Sequence, residues 1–90
     1  MLQIYFTKKF TKQYKLLLQR KPRQAKKLEQ TVEIFIKNPR HHRLKTHPLT
    51  GKLSGKYAFW ISYDLRVVFE WLKKNSVRFL ALGTHNQVYK

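Results

Sequence analysis

The 90-residue sequence predicts an α+β domain of order β-α-α-β-β-β, with a helical hairpin packed on one face of a small, mainly antiparallel, twisted sheet. Two observations lead there. Apolar residues recur at helical spacing between Phe10 and Ile36, then alternate at strand spacing from Tyr57 onward. Prolines and short polar stretches fall between these segments, where they stop helices or turn the chain. Nothing in the sequence divides it, so residues 1–90 read as one domain.

Leu2 to Phe6, with β-favouring Ile4, Tyr5 and Phe6, reads as a short strand. Thr7 is placed to cap a helix from Lys8 to about Arg20, whose apolar stripe is Phe10, Tyr14, Leu17 and Leu18. Lys21-Pro22 ends it, and Pro22 suits the first turn of a second helix, about Arg23 to Lys37, with Ala25, Leu28, Val32, Phe35 and Ile36 on one face. So short a join forces an antiparallel hairpin. Asn38-Pro39 stops the second helix, and residues 40–55 have loop composition. Three strands follow, Lys56 to Tyr63, Arg66 to Leu72 and Val77 to Gly83. In the first, Tyr57, Phe59 and Ile61 share one face and Ala58, Trp60 and Ser62 the other. With the hairpin on one sheet face, the opposite face is expected to be a working surface.

Twenty Lys and Arg against four Asp and Glu give a formal charge of +16. Self-repulsion on that scale destabilises a compact domain, and a polyanion such as nucleic acid offsets it. An acidic protein partner does the same. The absence of cysteine excludes disulfides and thiolate metal sites, and four acids in all are too few for a two-metal nuclease. No metal or other cofactor is expected. No apolar run approaches the ~20 residues of a membrane span, and the N-terminal segment lacks the order of a signal peptide, so a cytoplasmic protein is expected.

Four residues near the expected working face carry titratable or aromatic chemistry: His47 in the basic loop, Asp64 at a strand turn, His85 after the last strand, and Tyr89. Singly each has an ordinary reading, Asp64 as a turn former and Tyr89 as a terminal aromatic packed on the sheet. Together they fit RNA cleavage without metal, which needs a base for the 2′-OH, cations for the phosphorane and an acid for the leaving 5′-oxygen. Imidazoles titrate in the right range, and the planar fork of Arg66 matches phosphate oxygens. Arg43, Lys45, Lys52 and Lys56 can follow an RNA backbone, and Trp60 and Tyr89 can stack bases.

The segments HPLTGKLSG, SYDLRVVFEWL and LALGTHNQVY resemble the RelE/ParE superfamily of toxins, and within it the YafQ-like mRNA interferases. The resemblance covers nearly the whole chain and implies a RelE-like fold and a type II toxin that cuts mRNA in the ribosomal A site. It further implies attack by the 2′-OH without metal and neutralisation by an acidic antitoxin. By position, His47, Asp64, His85 and Tyr89 match the family's site residues, and Arg66 the strand arginine of the RelE and YoeB branches. The chain departs from the YafQ pattern at Ala58 and Trp60, where that pattern carries an Asp and a His. His85 is then expected as general acid, Asp64 or His47 as base or its orienter, and Arg66 with Lys52 or Lys56 as charge stabilisers. The free toxin is expected to be a monomer and its antitoxin complex a higher oligomer. Two other functions share the fold: a ParE-like inhibitor of DNA gyrase, and an RNA-binding module that cuts nothing.

Overall fold

The computed structural model describes residues 2–88. The chain runs β1 (Gln3–Phe6), α1 (Lys8–Arg20), α2 (Pro22–Lys37), β2 (His47–Pro48), β3 (Tyr57–Trp60), β4 (Leu65–Lys73), β5 (Ser76–Thr84) and α3 (His85–Val88), with 3-10 turns at His42–Leu44 and Gly51–Leu53. The sheet order is β1-β5-β4-β3-β2. The first strand lies parallel to β5, and the remaining neighbours are antiparallel. The α+β architecture and the mainly antiparallel sheet match the sequence reading.

The Thr7 hydroxyl accepts the Phe10 amide at 3.0 Å and donates to the Leu80 carbonyl at 2.9 Å. One side chain thus caps α1 and fastens it to the sheet. Lys21 alone joins the helices, its amide still bonded to the Leu17 carbonyl and Pro22 opening α2. Pro22 lacks an N–H, which helix position N1 does not use. The hairpin is antiparallel, bridged where the Tyr14 hydroxyl donates to Glu29 at 2.6 Å.

Phe35 on α2 is fully buried and meets Phe59, Phe69 and Phe79 with centroids 4.7, 5.0 and 5.6 Å away. Such edge and offset contacts add ~0.5–1.5 kcal/mol per pair to plain burial. Phe59, Ile61, Val67, Phe69, Val77 and Phe79 all face the helices in this cluster. Between Val68↔Ala81 and Phe69↔Phe79 the register shifts, and Leu80 is the extra residue of a β-bulge.

Three features differ from the sequence reading. The 40–55 stretch is not all loop: two 3-10 turns flank a two-residue strand, whose His47 pairs with Ala58 and Pro48 with Tyr57. Its shortness hides it from any periodicity argument. The third sheet strand in order of sequence, β3, ends at Trp60 rather than Tyr63, because residues 61–64 bend with the Ile61 amide bonded to the Leu65 carbonyl at 2.8 Å. The face away from the helices is not bare either, since Val88 of α3 and Leu49 cover Ala58, Val68 and Ala81. What stays open on that side is the end of the sheet near Trp60 and Arg66.

Candidate active site

Register decides which residues meet. Trp60 pairs with Arg66 across β3 and β4, Arg66 with Gly83 across β4 and β5, and Leu65 with Thr84. By alternation Trp60 and Arg66 share the face of Ala58 and Val68, away from the helices. The Arg66 side chain is 7% exposed, donates from Nη1 to the Ser62 carbonyl at 3.3 Å, and lays its Cζ 4.0 Å from the Trp60 ring centroid. Lys45 brings a second cation, with Nζ 4.3 Å from the same centroid. A cation over an indole gains ~0.5–1 kcal/mol at an exposed site and more when desolvated. Among the described residues no carboxylate pairs with Arg66. Of the four acids, Glu70 pairs instead with Arg78 at 3.4 Å, and Glu29 is held by Tyr14.

Lys45 also orients a candidate proton carrier. It closes the 3-10 turn His42–Leu44 in the left-handed region, φ 49° and ψ 40°, which a lysine adopts at a cost of ~1 kcal/mol. In that conformation its carbonyl accepts from His47 Nδ1 at 2.8 Å. A carbonyl can only accept, so Nδ1 carries the proton and Nε2 is the basic nitrogen of the neutral ring.

At the same end of the β4–β5 pair as Arg66 stands His85, exposed, immediately after Thr84. The Thr84 amide donates to Gln87 Oε1 at 2.9 Å and the Gln87 amide to Thr84 Oγ1 at 3.3 Å, a reciprocal capping box around the one-turn helix that His85 begins. Gly83 allows this closeness, since a Cβ there would stand 2.6 Å from Gln87 Oε1.

Asp64 reaches the same sheet end but another surface. It lines a cleft with Gln13, Arg20 and Lys21 on the helical side and Thr84 and Gln87 of the C-terminal turn. The structure therefore joins Arg66, Trp60 and Lys45 directly, adds His47 through the Lys45 backbone, and sets Asp64 and His85 at neighbouring strand ends. Arg43 lies in the first 3-10 turn, Lys52 in the second, and Lys56 just before β3; all three stay on the loop, apart from the contacts at Trp60. Tyr89 lies outside the described residues. Among the described residues there is no group of three His, Cys, Asp or Glu that could hold a metal ion.

Sequence reasoning missed two features. The Thr84-x-x-Gln87 box was legible as a capping pattern. The meeting of Lys45 with Arg66 on one indole was not, because it joins a loop to two strands.

The sequence model of the YafQ bacterial toxins of type II toxin–antitoxin systems matches residues 2–90. The chain belongs to the YafQ family. Similar solved structures include YafQ from E. coli strain BL21(DE3), at 24% identity and TM-score 0.81 with both chains fully covered. The E. coli DinJ–YafQ complex matches at 25% identity and TM-score 0.73, again over the whole of both chains. A YoeB/ParE toxin from Agrobacterium tumefaciens matches at 16% identity and TM-score 0.79, covering 93% of this chain and 99% of that one. Among curated proteins none matches. As a YafQ-family member the chain is a type II toxin, and its helical hairpin on a five-stranded sheet is the fold those structures share. Among the described residues no helix is long and apolar enough to cross a membrane.

Proposed function

We propose that this toxin is a ribosome-dependent mRNA endonuclease that breaks the phosphodiester by attack of the neighbouring 2′-OH, with no metal taking part. The observation that carries the proposal is the convergence of Arg66 and Lys45 on Trp60, with His47 tied to the same lysine. In the cut, a base removes the 2′-OH proton, the 2′-oxygen bonds to phosphorus, and the 5′-oxygen departs with a proton from an acid. The fragments then carry a 2′,3′-cyclic phosphate and a 5′-hydroxyl. Arg66 and Lys45 stabilise the extra charge of the phosphorane, and hydrogen bonds to charged groups suit that task. His47 Nε2 serves as base, because Asp64 opens on the helix-side cleft and its negative charge would repel the phosphate. His85 serves as acid, with Lys52, Lys56 and Arg43 along the RNA and ribosomal RNA. The +16 charge supports a ribosomal berth.

By the same charge, an acidic antitoxin is the expected protein partner, and the DinJ–YafQ complex of a relative supports one. The test is cleavage of mRNA on purified ribosomes by the parent and by His85→Ala. The variant is expected to lose ~10²–10⁴-fold in rate while still binding ribosomes. An active His85→Ala protein refutes the assignment, and loss of DNA supercoiling before translation on induction would favour gyrase as the target.

A further inference from the structure

We propose that Trp60 is the positioning residue of the phosphate site, its indole holding Arg66 and Lys45 together so that both can engage one phosphate. The ligand is named RNA on the strength of the nuclease reading; the geometry itself asks only for a phosphodiester.

Two like charges have no reason to gather. Arg66 comes from β4 and Lys45 from the far end of a 3-10 turn, yet both cations lie within 4.3 Å of one ring centroid. Their separation therefore cannot exceed twice that distance. The negative π-face of the indole offsets their repulsion, and no carboxylate among the described residues does so at Arg66. Arg66 is 7% exposed and is bonded by Nη1 to one neutral carbonyl, that of Ser62. A guanidinium has five N–H donors in a fixed fork, so the arrangement leaves donor capacity suited to an oxyanion. The Arg66 Cζ lies 4.0 Å from the ring centroid, so the guanidinium itself is held against the indole. Fork orientation decides whether two N–H groups reach two phosphate oxygens at once.

The idea changes what Trp60 is for. The sequence suggests a platform for a stacked base, but the ring already carries two cations, and Tyr63 meets it edge-on at 6.1 Å and 88°. Tyr63, at 84% exposure, is the better placed of the two for a base. Trp60 stands next to the bend 61–64 whose Ser62 carbonyl also receives Arg66, so one short segment holds the guanidinium from two sides.

The test uses a single-stranded 2′-O-methyl RNA oligonucleotide, which binds but lacks the nucleophile. Its Kd is measured against salt for the parent, Trp60→Ala, Trp60→Phe, Trp60→Leu, Arg66→Ala and the Trp60→Ala/Arg66→Ala double variant. Trp60→Ala is expected to weaken binding about ten-fold and to flatten the salt slope by about one phosphate contact. Trp60→Phe, which keeps a π-face, should recover most of the loss, and Trp60→Leu, which keeps only bulk, should not. In the Arg66→Ala background, Trp60→Ala should cost clearly less than in the parent, because one of the two cations it holds is gone and only Lys45 remains. Binding by Trp60→Ala within two-fold of the parent, equal recovery by Leu and Phe, independent multiplying losses, or no binding by the parent would each overturn the inference. Because the oligonucleotide cannot be cut, an active His85→Ala enzyme would sink the catalytic assignment and leave this result untouched.

Discussion

Lys45 carries two loads at one position, and two substitutions separate them. Its backbone sits at φ 49°, and its ammonium lies over Trp60. Lys45→Ala keeps the left-handed strain and loses the cation–π contact, a loss of ~0.5–1 kcal/mol. Lys45→Gly loses the same contact but relieves ~1 kcal/mol of backbone strain. The glycine variant should therefore melt near the parent, and the alanine variant below it. At ~2.1 cal/mol/K per residue, 90 residues have an unfolding entropy of ~190 cal/mol/K, so ~1 kcal/mol between the variants is ~5 °C in Tm. Activity should follow another rule. The bond to His47 Nδ1 comes from the backbone carbonyl and survives both changes, whereas the ammonium is lost in both. Cleavage on ribosomes should fall equally in the two variants, about ten-fold, and Lys45→Arg should restore part of it. Calorimetry and the cleavage assay run on one set of proteins. An alanine variant as stable as the glycine variant, or activity that tracks Tm rather than charge, would refute the reasoning.

Gly83→Ala should push the Gln87 amide aside, since a Cβ would stand 2.6 Å from Oε1, and so undo the capping box beside His85. The expected result is ~1 kcal/mol of lost stability by urea titration, with reduced cleavage. The Gly83→Ala/Gln87→Ala pair should be less than additive in stability; simple additivity would mean that the two residues do not clash. Tyr14, hydrogen-bonded to Glu29 and partly desolvated, has its phenol pushed up from 10.0 to about 12. A raised folded-state value means that the bond stabilises fully below pH 10 and is lost as pH rises through about 12. Tyr14→Phe should thus be less stable by ~0.5 kcal/mol at neutral pH, the contact being solvent-screened, with the difference closing above pH 10. A gap that instead widens with alkali would reverse the sign of this account.

The helices were legible because helical period, a Thr cap and a Lys-Pro break agreed with one another, and local agreement of that kind survives packing. Thr7, Pro22 and Asn38 stand where the sequence puts them, at the ends of α1 and α2. The strands were legible in their alternation, which is why Phe59 and Val67 face the helices and Ala58 and Val68 do not. Strand ends were not: Ile61 and Ser62 continue the alternation yet leave the ladder, because the bend bonds them to Leu65. Nor was the direction of β1, whose parallel pairing with β5 joins opposite ends of the chain.

The site divides the same way. Residue chemistry alone marked His47, Asp64, Arg66 and His85 and excluded a thiolate metal centre, since those statements depend only on which groups exist. Tertiary structure decided their company. Asp64 and Arg66 are two positions apart in sequence, yet Asp64 lines the helix-side cleft and Arg66 stacks on Trp60 across the ladder. Lys45 reaches that stack because β2 pairs with β3, a contact formed only when the sheet closes. Which charges meet is a matter of strand register and loop closure, and neither is written at any single position in the chain.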